Sequence, residues 1–189
     1  MGQTAVMTSD PAKVVSRSTI VPAPAQMIFD LLADPRRHNE IDGSGSVQSA
    51  QINAPERLSL NATFGMQMKI GVRYKITNTV VEFEEGKTIA WRHFGGHIWR
   101  YILEPVDGGT KVTEQFDYNG SKSVLMLKLR GSMGSNEKSM IKTLEFLNSR
   151  RPDLEIKAKF IEQLNLYEQR LNAQGLGPLS FTFNEYSFR

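Results

Sequence analysis

The chain has 189 residues and contains no cysteine. This absence excludes disulfide bonds, thiol catalysis, thiolate zinc sites and iron–sulfur clusters. A run of about 18 apolar residues, the minimum for a membrane span, is also missing. Near the start, MGQTAVMTSDPAK has no apolar segment after a basic one, and Val6 interrupts the myristoylation pattern that Gly2 would begin. We therefore expect a cytoplasmic protein with no membrane span.

An excess of one charge is lacking as well. The 23 Lys and Arg residues are scattered among 20 Asp and Glu residues, for a net charge of +3. Nucleic-acid binding would call for a recognisable motif or a basic face, so we expect no nucleic-acid partner. The glycines do not form a phosphate-binding loop between a strand and a helix, and the sequence predicts no cofactor.

What the chain does have is a long series of segments with a two-residue period. A first strand is predicted over 13–20 (KVVSRSTI), followed by a short helix in PAPAQMIFDLLADP and one more helical turn over 36–42. From Ser46 onward six strand-like segments follow, separated by turn signals. They read VQSAQIN, LNATFGMQMKIG, RYKITNTVVEFEE, KTIAWRHF, HIWRYILEP and TKVTEQFDY.

Helical periodicity then returns in 124–129 and again in a segment with Ser135 as its predicted N-cap. Strands bracketed by helices indicate an α+β fold. We predict a seven-stranded curved antiparallel sheet wrapped around a long C-terminal helix. The predicted organisation is a flexible N-terminus over 1–12, one domain over 13–148, and a C-terminal extension over 149–189.

The stretch IAWRHFGGHIWRYILEP holds both tryptophans and two of the three histidines. His93 and His97 have the spacing of a helical metal site, but Gly95-Gly96 between them favours a hairpin turn, and we predict no metal. A two-residue loop would pair Phe94 with His97. A three-residue loop, with one glycine in the left-handed region, would pair His93 with His97 and Trp91 with Trp99. Burial favours the second register, since it gathers the aromatic side chains on one face.

The last strand places a carboxyl group on the apolar side of the sheet. In KVTEQFDY, Glu114 shares a face with Val112, Phe116 and Tyr118. A buried carboxyl group requires a partner or a raised pKa, and His93, His97 or an arginine is the predicted partner. Glu114, His93 and His97 are therefore the candidates for acid–base chemistry. The predicted ligand-binding residues are Phe64, Met66, Met68, Tyr74, Trp91, His93, His97, Trp99, Tyr101, Glu114 and Phe116.

Four polar residues after the first helix, Arg36, His38, Glu40 and Asp42, are candidates for the rim of such a site, although solvated loop charges are the more usual outcome.

Three stretches resemble the START-like, or SRPBCC, superfamily, and more narrowly its polyketide cyclase/dehydrase and lipid-transport branch. They are STIVPAPAQMIFDLLADPRRHNEIDGSGSV, NTVVEFEEGKTIAWRHFGGHIWRYILEPVDGGTKVTEQFDY and NEKSMIKTLEFL, together spanning about 13–148. The resemblance implies a helix-grip fold with a hydrophobic cavity between sheet and helix. It implies no single activity, because such proteins bind lipids, sterols, polyketides or hormones, and some catalyse cyclisation or dehydration.

Beyond about residue 148 that resemblance ends. A helix is predicted to begin at Pro152-Asp153 and end at Gly175, with an apolar face formed by Phe160, Leu164, Tyr167 and Leu171. Residues 145–171 also resemble the closing helices of dual-specificity phosphatases, but a chain without cysteine lacks the catalytic loop of that family. The final GPLSFTFNEYSFR is rich in aromatic residues and is expected to find a groove.

Three functions are compatible with these patterns. The first is binding or transport of a small hydrophobic ligand, lipid-like or polyketide-like, between sheet and helix. The second is a cyclase or dehydratase that uses an interior Glu/His pair. The third is an interaction module whose C-terminal extension binds a protein partner or forms a homodimer.

Overall fold

The structure is a computed structural model that describes residues 10–49, 54–125, 132–149 and 151–173. Its centre is a seven-stranded antiparallel sheet with the strand order β1-β7-β6-β5-β4-β3-β2. The strands are β1 (Val14–Val21), β2 (Val47–Ser49), β3 (Thr63–Ile70), β4 (Val72–Glu84), β5 (Thr88–Arg92), β6 (Ile98–Val106) and β7 (Gly109–Asp117). The predicted strand number and the meander from β2 to β7 are confirmed. β1 lies at the edge of the sheet and pairs antiparallel with β7.

Among the described residues, four α-helices accompany the sheet. They are α1 (Ala25–Ala33), α2 (His38–Ile41), α3 (Ser132–Ser149) and α4 (Arg151–Ala173), and two short 3-10 turns cover Pro11–Lys13 and Pro35–Arg37. The short helix after β1 and the extra turn before the Gly43 loop are as predicted. No helix in the described ranges is long and apolar enough to cross a membrane.

The core lies between the sheet, α1 and α3. Ile28, Phe29 and Leu32 of α1 are fully buried, and the same apolar cluster includes Leu144 and Leu147 of α3. The apolar spacing of both helices explains this placement, since residues three and four apart share one face. Sheet and α3 therefore enclose one interior, as in the predicted helix-grip fold.

A glycine fixes the approach of α3 to the loop after α2. A Cβ atom built on Gly43 would lie 2.1 Å from the Ser139 carbonyl oxygen. Gly43 donates its N–H to Thr143 Oγ1 at 3.0 Å. Only a residue without a side chain permits this contact, so Gly43 sets the distance between the α2 end and α3.

The C-terminal half agrees with the sequence predictions only in part. The predicted N-cap at Ser135 is wrong, because α3 already begins at Ser132 and Ser135 lies inside it. The helix predicted from Pro152-Asp153 is present as α4, whose Phe160 and Tyr167 are about half exposed. Gly175 and the aromatic tail lie outside the described residues, as does most of 124–129.

Candidate functional site

The β5–β6 hairpin adopts the register that burial favoured. Trp91 is paired with Trp99, and Arg92 with Ile98. Gly96 has φ +85°, in the left-handed region that glycine adopts at low cost. A Cβ atom on Gly96 would also lie 2.1 Å from the Gly120 carbonyl oxygen. The glycine is thus required twice, for the turn and for the close contact with the segment after β7.

This register gathers aromatic rings on the inner face of the sheet. Trp91 lies 5.7 Å from Phe64 and 5.6 Å from Tyr101, measured between ring centroids. On the neighbouring strands Trp99 and Phe116 are 5.4 Å apart. These offset and edge-to-face arrangements are the ones that aromatic pairs prefer. The predicted aromatic wall is therefore present.

Glu114 is fully buried within that wall. Its Oε1 atom accepts hydrogen bonds from Trp99 Nε1 at 2.7 Å and from the Tyr101 hydroxyl at 2.8 Å. The second oxygen, Oε2, is buried and has no hydrogen-bond partner within the described residues. A buried polar atom left in this state costs about 1–3 kcal/mol. One oxygen of the carboxyl group is held in place, and the other is unused.

The environment keeps this carboxyl group protonated near neutral pH. Burial in an apolar interior raises the pKa of Glu114 to about 8, against the opposing effect of the two donated hydrogen bonds. The Asp42 carboxylate adds a smaller contribution in the same direction. Because Oε1 accepts both hydrogen bonds, the proton resides on Oε2. The pKa of the Tyr101 hydroxyl is raised well above its usual value, chiefly by burial, so that group remains a donor.

The predicted pairing of Glu114 with a histidine is wrong. Glu114 lies directly opposite Tyr101 in the ladder. His97 is four residues farther back along β6, which corresponds to about 13 Å of extended chain. Phe116 fills the intervening position and packs against the His97 ring at 4.8 Å. An arginine is not the partner either, because the two hydrogen bonds to Glu114 come from Trp99 and Tyr101.

The two histidines contact each other instead. Their ring centroids are 4.1 Å apart, edge to face, and His93 Nδ1 accepts the Gly95 N–H at 2.8 Å. Burial lowers the pKa of His97 to about 4, and the neighbouring His93 ring adds to the effect. Burial also lowers the pKa of His93. Both imidazoles are therefore neutral at pH 7 and behave as partly exposed aromatic rings at the hairpin tip.

Two further buried polar groups were not singled out in the sequence as parts of the interior. His38 was a candidate for an exposed rim, which is wrong: it is buried and stacks on Trp91 at 5.0 Å. Its Nε2 lies 2.8 Å from the Leu32 carbonyl oxygen, which assigns the proton to Nε2. His38 Nδ1 and Asn78 Nδ2 have no partner among the described residues. Asn78 had a weak signal, since it lies opposite Phe64 on a strand whose alternation is otherwise apolar.

The other rim candidates lie in local contacts rather than in the interior. Arg36 pairs with Asp34, and Glu40 with Arg37. Asp42 accepts the N–H groups of Ser44 and Val47. These bonds organise the loop after α2 and do not reach Glu114.

The predicted ligand-binding residues divide into two groups. Ten lie on the buried or half-buried inner wall or at its edge: Phe64, Met66, Met68, Trp91, His93, His97, Trp99, Tyr101, Glu114 and Phe116. Tyr74 is 39% exposed near the β3–β4 hairpin, beyond the part of β4 that faces the core. The structure does not bring Tyr74 to Glu114, because β4 continues past the end of β5.

Described residues form surface depressions at both ends of the sheet. One, of about 210 Å³, lies along the β3–β4 hairpin and is lined by Gln67, Met68, Arg73, Tyr74 and Lys75. The other, of about 510 Å³, lies where β1 meets α1 and is lined by Pro22, Ala23, Pro24, Ala25, Pro105, Gly108, Gly109 and Thr110. Neither depression lies between the sheet and α3, where the aromatic wall faces the helix. Within the ranges that the structure covers, no group of three or more His, Asp or Glu side chains is arranged to hold a metal ion.

Curated relatives match part of the chain. Two uncharacterized proteins of Mycobacterium tuberculosis, Rv0088 of strain H37Rv and MT0096 of strain CDC 1551, are 41% and 40% identical over 112 residues. Those residues make up 58% of this chain and 50% of each relative. The chain thus spans about half the length of the curated relatives it matches.

Solved structures share the fold at low sequence identity. Protein Ms6760 of Mycobacterium smegmatis superposes with a TM-score of 0.57 at 18% identity, covering 75% of this chain and 92% of that one. Protein SSP2350 of Staphylococcus saprophyticus gives 0.54 at 16% identity, covering 72% and 90%. Residues 12–139 match the model of the family described as polyketide cyclase / dehydrase and lipid transport. The chain therefore belongs to the polyketide cyclase/dehydrase and lipid-transport family.

Proposed function

We propose that this protein binds and carries a small apolar molecule bearing one hydrogen-bonding group, with that group directed at Glu114. The family supports a fold that binds hydrophobic ligands, and the finer assignment rests on the unused oxygen of Glu114. That buried Oε2 atom is the observation that carries the proposal. A ligand carbonyl or hydroxyl oxygen would satisfy it and remove the cost of the unpaired group.

The protonation of Glu114 defines what kind of polar group fits. With its proton on Oε2, the side chain presents a neutral donor rather than a charge. A neutral donor favours an oxygen acceptor over an ammonium or other cation. It also disfavours a carboxylate ligand, which would have to be desolvated without a counter-ion. The proposed ligand is therefore an uncharged molecule with a carbonyl, hydroxyl or ether oxygen.

The surroundings of Glu114 define the rest of the ligand. Trp99 donates to the carboxyl group and presents a half-buried ring, and Phe116 lies beside it. His97, neutral at pH 7, continues this surface toward the hairpin tip. Aromatic and apolar side chains with one polar group are the usual lining of small-molecule sites. The wall suits a ring-containing or acyl ligand that enters from the half-exposed side of Trp99, His93 and His97.

A binding comparison tests the role of the single polar group. 2-Naphthol and naphthalene share the same apolar skeleton and differ by one hydroxyl. We expect 2-naphthol to bind about fivefold more tightly, the value of roughly one net hydrogen bond. The Glu114→Leu variant should bind the two probes equally, whereas Glu104→Leu, a change at an exposed carboxylate of β6, should keep the difference. Fluorescence titration measures both affinities, and equal affinity in the unmodified protein would contradict the proposal.

Native mass spectrometry of freshly purified protein gives an independent check. A carried ligand should appear as a mass added to the folded chain and should disappear after denaturation. The Glu114→Leu protein should carry less of it than the Glu104→Leu protein.

A second candidate function, catalysis of cyclisation or dehydration, is favoured by one observation. A carboxyl group with a pKa of about 8 holds a proton at neutral pH and is a suitable general acid for a carbonyl or leaving hydroxyl. Tyr101 would orient it, in place of the histidine that the sequence suggested. Glu114→Gln separates the two functions, because an amide donates a hydrogen bond but cannot transfer the proton. Retained ligand binding with lost turnover indicates an enzyme.

A further inference from the structure

The two ends of the sheet differ in exposed apolar side chains. We call the end with the β3–β4 and β5–β6 hairpins the hairpin end. Val72 and Phe94, at the tips of those hairpins, are each 74% exposed, and Leu125 is 68% exposed. Leu125 follows the segment that meets the β5–β6 tip, where Lys122 donates its N–H to the Gly95 carbonyl. These are the three most exposed large apolar side chains of the described residues. Val72 and Phe94 lie at the hairpin end, and Leu125 lies three residues after Lys122, which contacts that end.

The same end carries cations without counter-charges. Its exposed basic side chains are Lys69, Arg73, Lys75, Arg92 and Lys122. In the part of the chain that the structure describes, none of the five forms an ion pair. The sequence explains this, because residues 58–81, 88–103 and 118–136 contain no Asp or Glu. A local positive potential therefore surrounds the exposed apolar tips.

Acidic side chains near this end form hydrogen bonds or ion pairs with other groups. Asp117 is buried and lies 3.7 Å from Arg100, and Asp42 accepts the Val47 N–H at 2.8 Å. Asp10 caps the first 3-10 turn and lies 3.9 Å from Lys13. None of them is directed at the five exposed cations by a hydrogen bond or an ion pair.

At the opposite end of the sheet, acidic side chains are present and pair with the cations. Glu84 and Glu85 lie at the β4–β5 turn, and Glu104 and Asp107 lie near the β6–β7 turn. The cations there are paired: Lys87 with Glu84, Lys111 with Glu104, and Arg57 with Asp30. The charge asymmetry thus follows the long axis of the strands. A single end combines unpaired positive charge with exposed apolar side chains.

We propose that the hairpin end docks on a membrane surface that carries anionic lipid headgroups. Basic side chains are attracted to such a surface, and apolar tips insert at the headgroup boundary. The depression lined by Arg73, Tyr74 and Lys75 offers two cations to a phosphate group. A nucleic acid matches these features less well, because aliphatic Val72 and Leu125 cannot stack on bases.

Docking at this end would also deliver the ligand. His93, His97 and Trp99, the half-buried edge of the aromatic wall, lie at or next to the β5–β6 tip that carries Phe94. An apolar molecule leaving the membrane would therefore meet this edge before it reaches Glu114. This part of the inference rests on the proposed function, whereas the docking itself does not.

Vesicle co-sedimentation of the full chain tests the docking. We expect binding to phosphatidylcholine vesicles that contain phosphatidylglycerol, weak binding to phosphatidylcholine alone, and loss of binding at high salt. The double variant Arg73→Gln/Lys75→Gln should bind about thirtyfold more weakly, since each cation near an anionic surface contributes about a factor of five. Its matched control, Lys87→Gln/Lys111→Gln, makes the same change in net charge at the opposite end and should bind like the unmodified protein.

The apolar contribution has its own pair of variants. Phe94→Ser should weaken binding to the anionic vesicles about tenfold, because it removes an inserted aromatic side chain. Ile20→Ser, at a 53% exposed position near the other end, should not. Three results would each overturn the proposal. The first is an equal loss of binding from the variants at both ends, and the second is equal binding to neutral vesicles. The third is binding that duplex DNA competes for and that Phe94→Ser leaves unchanged. Probe binding in vesicle-free solution is measured separately, so loss of docking alone leaves the proposed function standing.

Discussion

Carboxyl groups on the two faces of the sheet are neutralised in different ways. On the outer face, Arg100 forms two hydrogen bonds with Glu82, at 2.6 and 2.7 Å, and lies 3.7 Å from Asp117. Only 15% of its side chain is exposed. On the inner face, Glu114 has no cation and is bonded to Trp99 and Tyr101. The outer carboxylates are neutralised by a partner, and the inner one is neutralised by its own proton.

The two arrangements have different consequences for the stability of the sheet. A paired carboxylate has its hydrogen-bonding capacity filled by the guanidinium and serves the stability of the sheet. The hydrogen bond to Glu82, followed by the charges of Glu82 and Asp117, raises the pKa of Arg100 despite its partial burial. A protonated carboxyl group with one unfilled oxygen weakens the fold and gains from a ligand. Such a cost is typical of functional positions.

The largest expected effect comes from removing the ionisable group inside. Glu114 has a pKa of about 8 in the folded protein and 4.5 as a free side chain. Between these two pH values the unfolded chain releases a proton that the folded protein keeps, so stability falls as pH rises from 4.5 to 8. Glu114→Gln should therefore raise the free energy of unfolding by roughly 3 kcal/mol at pH 7 and flatten the pH dependence in that window.

Thermal and urea unfolding between pH 4 and 9 measure this effect. Glu104→Gln is the matched control, since it removes an exposed carboxylate and should leave the pH profile unchanged. A Glu114→Gln protein that is less stable than the unmodified one at pH 7 would show that the carboxyl group is ionised inside.

On the outer face, removing the charged group Arg100 should lower the free energy of unfolding rather than raise it. Arg100→Met removes the cation, so Glu82 loses its two hydrogen bonds and Asp117 keeps only those that it accepts from Asn119. We expect a loss of about 2 kcal/mol, between the values for exposed and for buried ion pairs. Urea unfolding at pH 7 measures it. Arg100→Lys keeps the charge but loses the paired hydrogen bonds with Glu82. Its free energy of unfolding should therefore lie between those of the unmodified protein and of Arg100→Met.

The smallest effect should come from the half-buried histidine at the hairpin tip. The pKa of His97 is about 4 in the folded protein, below its ordinary value of 6.5. The unfolded chain therefore takes up a proton that the folded chain refuses, and stability declines as pH falls from 6.5 to 4. His97→Gln should remove about 1 kcal/mol of this loss at pH 5, allowing for partial exposure to solvent. Unfolding curves of both proteins at pH 5 and pH 7 measure this effect. If His97 were exposed, the substitution would leave the difference in the free energy of unfolding between the two pH values unchanged.

Much of the fold was readable from alternation and turn residues. The six strand segments after Ser46 and the hairpin at Gly95-Gly96 were all predicted, because a two-residue period and glycine turns are local signals. The hairpin register followed from one further step, that the aromatic face should be buried. The start of α3 was missed, since Ser135 has the chemistry of an N-cap but helix ends depend on what the helix packs against.

The site was readable only in part. Glu114 was identified as the one carboxyl group on an apolar face, and this is a property of its own strand. Its partner depended on the offset between β6 and β7, which places Tyr101 opposite it and His97 four residues away. His38 was misjudged because its position between α2 and Trp91 arises from the approach of a helix to a sheet. Such distances have no local signature in the chain.

The sequence by itself determined the strands, the inward direction of Glu114, and the separation of acids from the hairpin segments. These properties follow from the alternation of side chains and from composition, which are fixed before folding. The tertiary structure decided which donors reach Glu114, which oxygen stays unpaired, and that exposed apolar tips and unpaired cations lie at one end. The reason is physical: burial, hydrogen bonding and surface potential depend on groups from several strands, and only the packed sheet brings those groups together.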